Sequence, residues 1–444
     1  MREGRPNARQ PALLLLAIVA FSSIVTNWRP IHTVPAIDFY QFWVVGQELE
    51  AGRAGDIYSA AERERIGEHH LDRARENGGK TEVRAARQRE TLETFSTPFM
   101  YTVFGAVSSG DYDRDLRRYR DLALAALLFA VVILCRLLGY GALSTIAAMA
   151  VFAAWFAPTR SDWLVGNVNS FQLALLACFV WLACRFPSTA GHVVGGLVLG
   201  ASAMWKPNSA LVVVLLLLAW AARRRYAKLV HVSIGIAVAA IAAFIWSSIA
   251  FRGGGGGVDI WWSWLSALSA LPEDIITVEL GNYAPSRLLL EWIGIDAALA
   301  IGLACLGLTL VALIIAFSGA PKGERPEQAG FEDLGIVALG SLITLLGSPL
   351  AWLHYFVAAI PMLLVALGPA WSPRGGGLAL FASRVLAWIA LVAVMMRPLV
   401  ILGVGDDRSR AAFLCLGTVI LFGLGLWSLL SFRSDHSAGE AGSR

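Results

Sequence analysis

Residues 204–228 read MWKPNSALVVVLLLLAWAARRRYAK. Between Ala210 and Ala222 no side chain is charged, so the run belongs in a bilayer core, which takes about 20 apolar residues per helix. It ends on Arg223, Arg224, Arg225 and Lys228, the kind of short basic segment that stays in the cytoplasm. It begins at Lys206-Pro207, where a proline breaks the helix and a lysine within the apolar region costs about 2.5–3.5 kcal/mol unless something anionic or aqueous stands nearby. This one stretch predicts an all-α polytopic membrane protein with basic loops on one side and its unusual polar chemistry on the other.

The rest of the chain agrees. It has 444 residues, 57% hydrophobic and 15% charged, and its mean hydropathy is +0.62. Those values exclude soluble and disordered classes and leave no case for a nucleic-acid partner. The net charge of +4 fits cytoplasmic loops surrounded by membrane lipids rather than a polyanionic ligand. Apolar segments recur near 11–28, 121–138, 142–157, 169–185, 191–205, 208–222, 229–251, 296–317, 333–348, 352–369, 378–396 and 411–430, an expectation of about twelve helices. The first, after Arg2, Arg5 and Arg9, reads as an uncleaved helix, since no small-residue cleavage site follows.

An even count puts the basic groups at Arg2–Arg9, Arg185, Arg223–Lys228, Lys322–Arg325, Arg374 and Arg433 on the cytoplasmic side with both termini. The outer side then carries 29–120, 158–168, 252–295, 349–351 and 397–410. Residues 1–444 form a single transmembrane domain in this reading. It has a first outer loop at 29–120, a charged insertion at 62–93, a second outer loop at 252–295 and a cytoplasmic tail at 431–444. The insertion holds eight acidic and eight basic residues, which reads as a solvated segment. Residues 97–107 are apolar but too short to span and read as an interfacial or re-entrant helix. The five cysteines lie in apolar stretches without ligand spacing, His69-His70 lacks further ligands, and Gly253–Gly257 has no Gly-Lys-Ser/Thr after it, so neither a metal nor a cofactor is expected. Gly196 and Gly200 are spaced for close helix packing.

The candidate site residues lie on the outer side. Asp38 and Tyr40, in IDFY at 37–40, place an acid among aromatic residues; Asp38 also fits the N-cap of a following helix. Residues 158–169, PTRSDWLVGNVN, carry Arg160, Asp162, Trp163, Asn167 and Asn169, groups suited to sugar hydroxyls and an apolar sugar face, or equally to a capped turn. Lys206 and His354, the latter in SPLAWLHY at 348–355, are candidates for a phosphate, as is Arg287 in GNYAPSR at 281–287, which also holds Asn282. Snorkelling, bundle hydrogen bonds and a Gly-Asn turn are the respective structural readings.

The order IDFY, GNVN at 166–169, Lys206-Pro207-Asn208, Gly281-Asn282 and SPLAWLHY resembles glycosyltransferase family 87, a group of GT-C-type mannosyltransferases that use polyprenyl-phosphate mannose. The resemblance implies a GT-C-like bundle and an inverting transfer of a sugar from a polyprenyl-monophosphate donor to a lipid or glycan acceptor outside the cytoplasm. It implies that Asp38 acts as base. Lys206, His354 and Arg287 are then the donor-phosphate group, and Tyr40, Arg160, Asp162, Trp163, Asn167, Asn169 and Asn282 the sugar and acceptor group. The sequence departs from the family pattern at Ser96-Thr97-Pro98-Phe99, in the 62–93 insertion and at Tyr355, where the family has a second histidine. A transporter or flippase of a lipid-linked or polar substrate is the alternative, although its usual acidic residues in mid-span are missing. A non-catalytic scaffold is a third reading, one in which Asp38, Lys206 and His354 are all dispensable. Sugar, acceptor and oligomeric state have no signal in the sequence.

Overall fold

The computed structural model describes residues 9–254, 257–269, 277–317, 326–369, 376–401, 403 and 405–431. The basic positions Arg2, Arg5, Lys322, Arg325, Arg374 and Arg433, Gly255–Gly256 of the glycine run, and all but the first residue of the expected tail lie outside them. Among the described residues there is no strand, only an isolated bridge between Asn282 and Trp352.

Helix α1 (Arg9–Ile31) leads into α2 (Ile37–Glu50), α3 (Ala60–Asn77), α4 (Lys80–Gln88) and α5 (Pro98–Val107). Then come α6 (Tyr112–Leu137), α7 (Ala142–Ala154), α8 (Ala157–Val165), α9 (Asn169–Arg185), α10 (Thr189–Trp205), α11 (Ala210–Ala222) and α12 (Tyr226–Ala250). After α13 (Asp259–Ser269) and α14 (Pro285–Ile293) the chain continues through α15 (Ala298–Phe317), α16 (Pro326–Gly347) and a 3-10 turn at Leu353–Ala359. It closes with α17 (Ile360–Leu367), α18 (Gly376–Met395), α19 (Arg397–Ile401) and α20 (Asp407–Ser431).

The expected count of about twelve spans is not met. Five described helices are long and apolar enough to cross a membrane, within α12, α15, α16, α18 and α20, and a sixth results if α7 and α8, bent by 52°, form one broken span. The reason is local. Helices α9 and α10 have 17 residues each and α11 has 13, because Asn and Pro positions interrupt them. The expected span at 352–369 is divided between a 3-10 turn and an eight-residue helix. Helix α6 spends its first turns on charged residues from Asp113 to Arg120.

Where helices meet most closely the sequence reading holds. A Cβ on Gly196 would lie 2.3 Å from the Val232 carbonyl and one on Gly200 2.8 Å from that of Ile236, so α10 and α12 touch backbone to backbone. Residues 29–120 have their own buried cluster, built from Phe39, Trp43, Ile57, Tyr101, Tyr112 and neighbours. The charged insertion is α3 and α4, fastened to α2 by Glu48. That buried carboxylate meets Arg53 at 2.6 Å, His70 at 3.1 Å and Arg65 at 3.2 Å. Burial alone would raise its pKa, but the bonds from His70, Arg53 and Arg65 outweigh it and hold the group below the usual carboxylate range.

Two opposed ends organise the charges. At one, Arg223 and Arg225 grip Glu332 at 2.7 and 3.2 Å, and Lys228 pairs with Asp333, which also accepts from Trp220 at 2.8 Å. These acids are 1% exposed. Replacing Asp333 by Asn is expected to destabilise the bundle by about 3–5 kcal/mol, the cost of orphaning a buried cation. Thermal unfolding of the purified protein checks it, with a shift below about 1 kcal/mol as the contrary result. At the other end, Arg120, 0% exposed, ties loops together. It donates to the carbonyls of Ile31 (2.5 Å), Val34 (2.9 Å), Trp163 (3.0 Å) and Leu164 (3.4 Å). The ends of α1 and α8 thereby converge on the start of α2.

Candidate active site

That convergence brings Asp38 and Asn167 together. Asp38 lies in the first turn of α2, and the N-cap is Ala36, so the capping role considered from sequence does not apply. Helix α8 ends on Gly166 at φ +75°, and a Cβ there would lie 2.5 Å from that of Phe39. Glycine is required on both counts. The next residue, Asn167, donates from Nδ2 to Asp38 Oδ2 at 2.8 Å.

A chain of polar contacts runs inward from this bond. Lys206, freed at the break between α10 and Pro207, donates to Asn167 Oδ1 at 3.0 Å and Asn169 Oδ1 at 2.5 Å. Its ammonium also stands 4.1 Å from the centre of the Tyr355 ring. Asn169 Nδ2 in turn donates to Asp162 Oδ1 at 2.9 Å. Because an ammonium only donates, each amide must turn its oxygen to Lys206 and its nitrogen to a carboxylate. The order is therefore Asp38, Asn167, Lys206, Asn169, Asp162, with one cation serving two acids.

The two acids differ in what remains open. Asp162 accepts at both oxygens, from Asn169 N (3.3 Å) and Nδ2, and from Ser170 N (3.0 Å) and Oγ (2.7 Å), at the start of α9, and is 0% exposed. It is a structural anion with nothing left to offer a ligand. Asp38 has a single direct hydrogen bond. Around it stand Arg89, 3.9 Å from Oδ1, and His354 Nε2, 3.9 Å from Oδ2, both beyond hydrogen-bond reach. His354 Nε2 and Arg89 Nε are buried without a partner. A buried polar atom left open beside a half-satisfied carboxylate is the geometry of a group that meets a ligand.

Burial raises the Asp38 pKa above the ordinary carboxylate range, and Arg89, Asn167 and Lys206 each act against that rise. Arg89→Gln removes the largest opposing influence, so the carboxyl should titrate at higher pH still. If Asp38 works as a base, the acid limb of the rate profile moves upward in that variant. An unmoved limb would show that Arg89 does not set the carboxylate's charge.

The sequence pattern of glycosyltransferase family 87 matches residues 98–349. The chain belongs to glycosyltransferase family 87. Comparison with curated proteins and with solved structures gave no match. The matched span holds Asn167, Asn169 and Lys206, whereas Asp38, Arg89 and His354 flank it.

Of the residues the sequence nominated in this family 87 protein, Asp38, Asp162, Asn167, Asn169, Lys206 and His354 come together. Tyr40 is 0% exposed and packs on Trp43 and Tyr112. Trp163 is 2% exposed, edge-on to Trp28 at 5.2 Å. Asn282 is consumed by backbone, donating to Pro349 O at 2.9 Å and accepting from Ala351 N at 2.8 Å. All three are buried, and the Tyr40 hydroxyl and Trp163 Nε1 stand among the buried polar atoms without a partner in the described residues. Arg160 is exposed on the opposite side of α8. Arg287 sits in α14, which packs on α15, α16 and α20, and no hydrogen bond or ion pair among the described residues joins it to Lys206 or His354.

Several residues were missed. Arg89 lies in the insertion, where eight cations among eight acids gave no reason to single it out; its other partner is Glu93 at 2.9 Å. Tyr119 donates to the Asn167 carbonyl at 2.5 Å, and Thr97 to the Met204 carbonyl at 2.8 Å, fixing the two loops from outside. Gln172 Nε2 donates to Ser209 at 2.6 Å and to the Lys206 carbonyl at 3.3 Å. A Gln and a Thr beside apolar helix ends carried no pattern that distinguished them.

Proposed function

We propose that this glycosyltransferase moves a sugar, mannose in the first instance, from a polyprenyl-monophosphate donor to a lipid or glycan acceptor, with inversion at the anomeric carbon. The observation that carries the reading is the half-satisfied Asp38 carboxylate between the open Nε2 of His354 and the guanidinium of Arg89, each 3.9 Å away. Asp38 takes the proton of the acceptor hydroxyl as its oxygen bonds to the anomeric carbon. The bond from that carbon to the phosphate oxygen breaks, and polyprenyl phosphate leaves with the electron pair. Arg89 and His354 supply the donors for the leaving phosphate. Lys206, whose ammonium is engaged by two amides and a ring, holds Asn167 and through it Asp38; this replaces the direct phosphate role expected from sequence.

The face follows from charge. The basic cluster of Arg223, Arg225 and Lys228 supports a cytoplasmic position for that end, and with it a site for Asp38 outside the cytoplasm, in a plasma (inner) membrane. Nucleotide sugars do not reach that side, whereas lipid-carried sugars do. Residues 29–120 are then the first outer loop of one transmembrane domain. The test is transfer of radiolabel from polyprenyl-phosphate mannose into membrane lipids by reconstituted protein. Labelled product supports the reading. Transfer only from another polyprenyl-phosphate sugar changes the sugar, and movement of intact donor across the bilayer without transfer overturns it in favour of a flippase.

A further inference from the structure

Beside α8 the structure holds a second polar constellation. Arg160 of α8, Arg397 of α19 and Arg410 of α20 line one cleft of about 380 Å³, with Tyr283 and Trp155 among its walls. The three come from separate elements, so their convergence is a property of the fold and not of one basic run. Their own bonds leave much unsaturated. Among the described residues the Arg160 guanidinium has no hydrogen-bond partner, and its residue is exposed. Arg397 gives one bond, to the Ala154 carbonyl at 2.9 Å. Arg410 pairs with Asp407 at 3.0 Å, but its Nε is buried with no partner. The nearest acid, Asp407, is shared with the Tyr283 hydroxyl at 3.2 Å. Three guanidinium groups against the carboxylates of Asp406 and Asp407, both beside Arg410, leave an excess of one positive charge in a confined space.

The surroundings say what kind of anion fits. A neighbouring apolar cavity of about 510 Å³ has Trp155, Arg397 and Ile401 in common with the cleft, and adds Met395 and Pro398. The two are one continuous depression, charged at one end and greasy at the other. Ile401 is 79% exposed and Val400 51%, at the rim of a helix bundle that sits in lipid. Planar guanidinium groups match phosphate oxygens in pairs, and an apolar trough beside them matches an alkyl or prenyl chain.

We infer that the Arg160–Arg397–Arg410 cleft binds the phosphate head of a membrane amphiphile, with its chain lying along Trp155, Pro398 and Ile401. A free phosphate would use only the charged half. The inference does not depend on the role given to Asp38, because it is tested by binding without turnover.

The experiment titrates detergent-solubilised full-length protein with dodecyl phosphate by calorimetry, beside inorganic phosphate and dodecyltrimethylammonium. Saturable binding of dodecyl phosphate is expected, with affinity falling about tenfold or more in Arg160→Gln/Arg410→Gln. Neither control should bind at the same concentrations. Equal affinity in wild type and variant overturns the site, and inorganic phosphate binding as tightly as dodecyl phosphate overturns the lipid. Should the double variant unfold, Arg160→Gln alone carries the test, since that exposed side chain has no partner to lose; an unchanged affinity there counts against the inference.

Discussion

Asp38→Asn is expected to lower sugar transfer by about 10²- to 10⁴-fold, the contribution typical of a general base, while leaving the protein folded and the donor bound. Asn fits the space of Asp and keeps an oxygen to accept from Asn167, so the 2.8 Å contact survives. What disappears is the ability to take a proton. Donor binding should persist because Arg89 and His354 are untouched. Equal transfer at equal expression would remove the base role from Asp38, and loss of folding would be visible as a lowered unfolding temperature. The wild-type rate should also fall as pH drops through the Asp38 pKa. Burial raises that pKa, so the limb lies above the ordinary carboxylate range and not within it.

The second large effect is expected at Lys206. Lys206→Met retains much of the stem but removes two charge-assisted hydrogen bonds, each worth about 1.5–3 kcal/mol when the donor is charged. Asn167 and Asn169 then lose the partner that fixes their orientation, Asp162 loses its nearby cation, and Asp38 keeps only Arg89. Stability should drop by about 3 kcal/mol or more, and transfer should fall toward the level of Asp38→Asn. Any residual activity should have its acid limb at higher pH, because Lys206 holds the Asp38 pKa down. A lysine that merely reached toward lipid headgroups would give neither the stability loss nor the shifted limb. A direct phosphate ligand would raise the donor KM without moving the limb.

Much of this site was legible in the chain because membranes make polarity conspicuous. Lys206 beside Pro207 and the Asn167–Asn169 pair stood out against apolar helices, where each polar group needs a partner. Their mutual contacts were not legible, since Asp38 and Asn167 are brought together only by the left-handed Gly166 and by Arg120 collecting carbonyls from two helix ends. Arg89 was hidden for the opposite reason: in a stretch of alternating charges no single cation is unusual. The burial of Tyr40 and Trp163 was not legible, because an aromatic near an apolar helix end has the same appearance in a sequence whether it is exposed or packed inside. The span count failed because hydropathy records apolar length and is blind to whether the backbone stays α-helical through it, as the 3-10 stretch Leu353–Ala359 does not.

The chain of contacts centred on Lys206 has a consequence for how the protein is made. Asp38, Asp162, Asn167 and Asn169 all precede Lys206 in the sequence, so when the lysine emerges from the ribosome both of its hydrogen-bond acceptors have already been made, and only the Tyr355 ring is still to come. Its burial can be compensated as α10 and α11 enter the bilayer. Lys228 and Arg223 are in the reverse position: Glu332 and Asp333 follow them by about a hundred residues. The basic end must wait, hydrated at the membrane surface, until α16 arrives. Biogenesis is thus set to join the polar chain from Asp38 to Asp162 before α16 closes the opposite end, with His354 and Tyr355 added to the site afterwards.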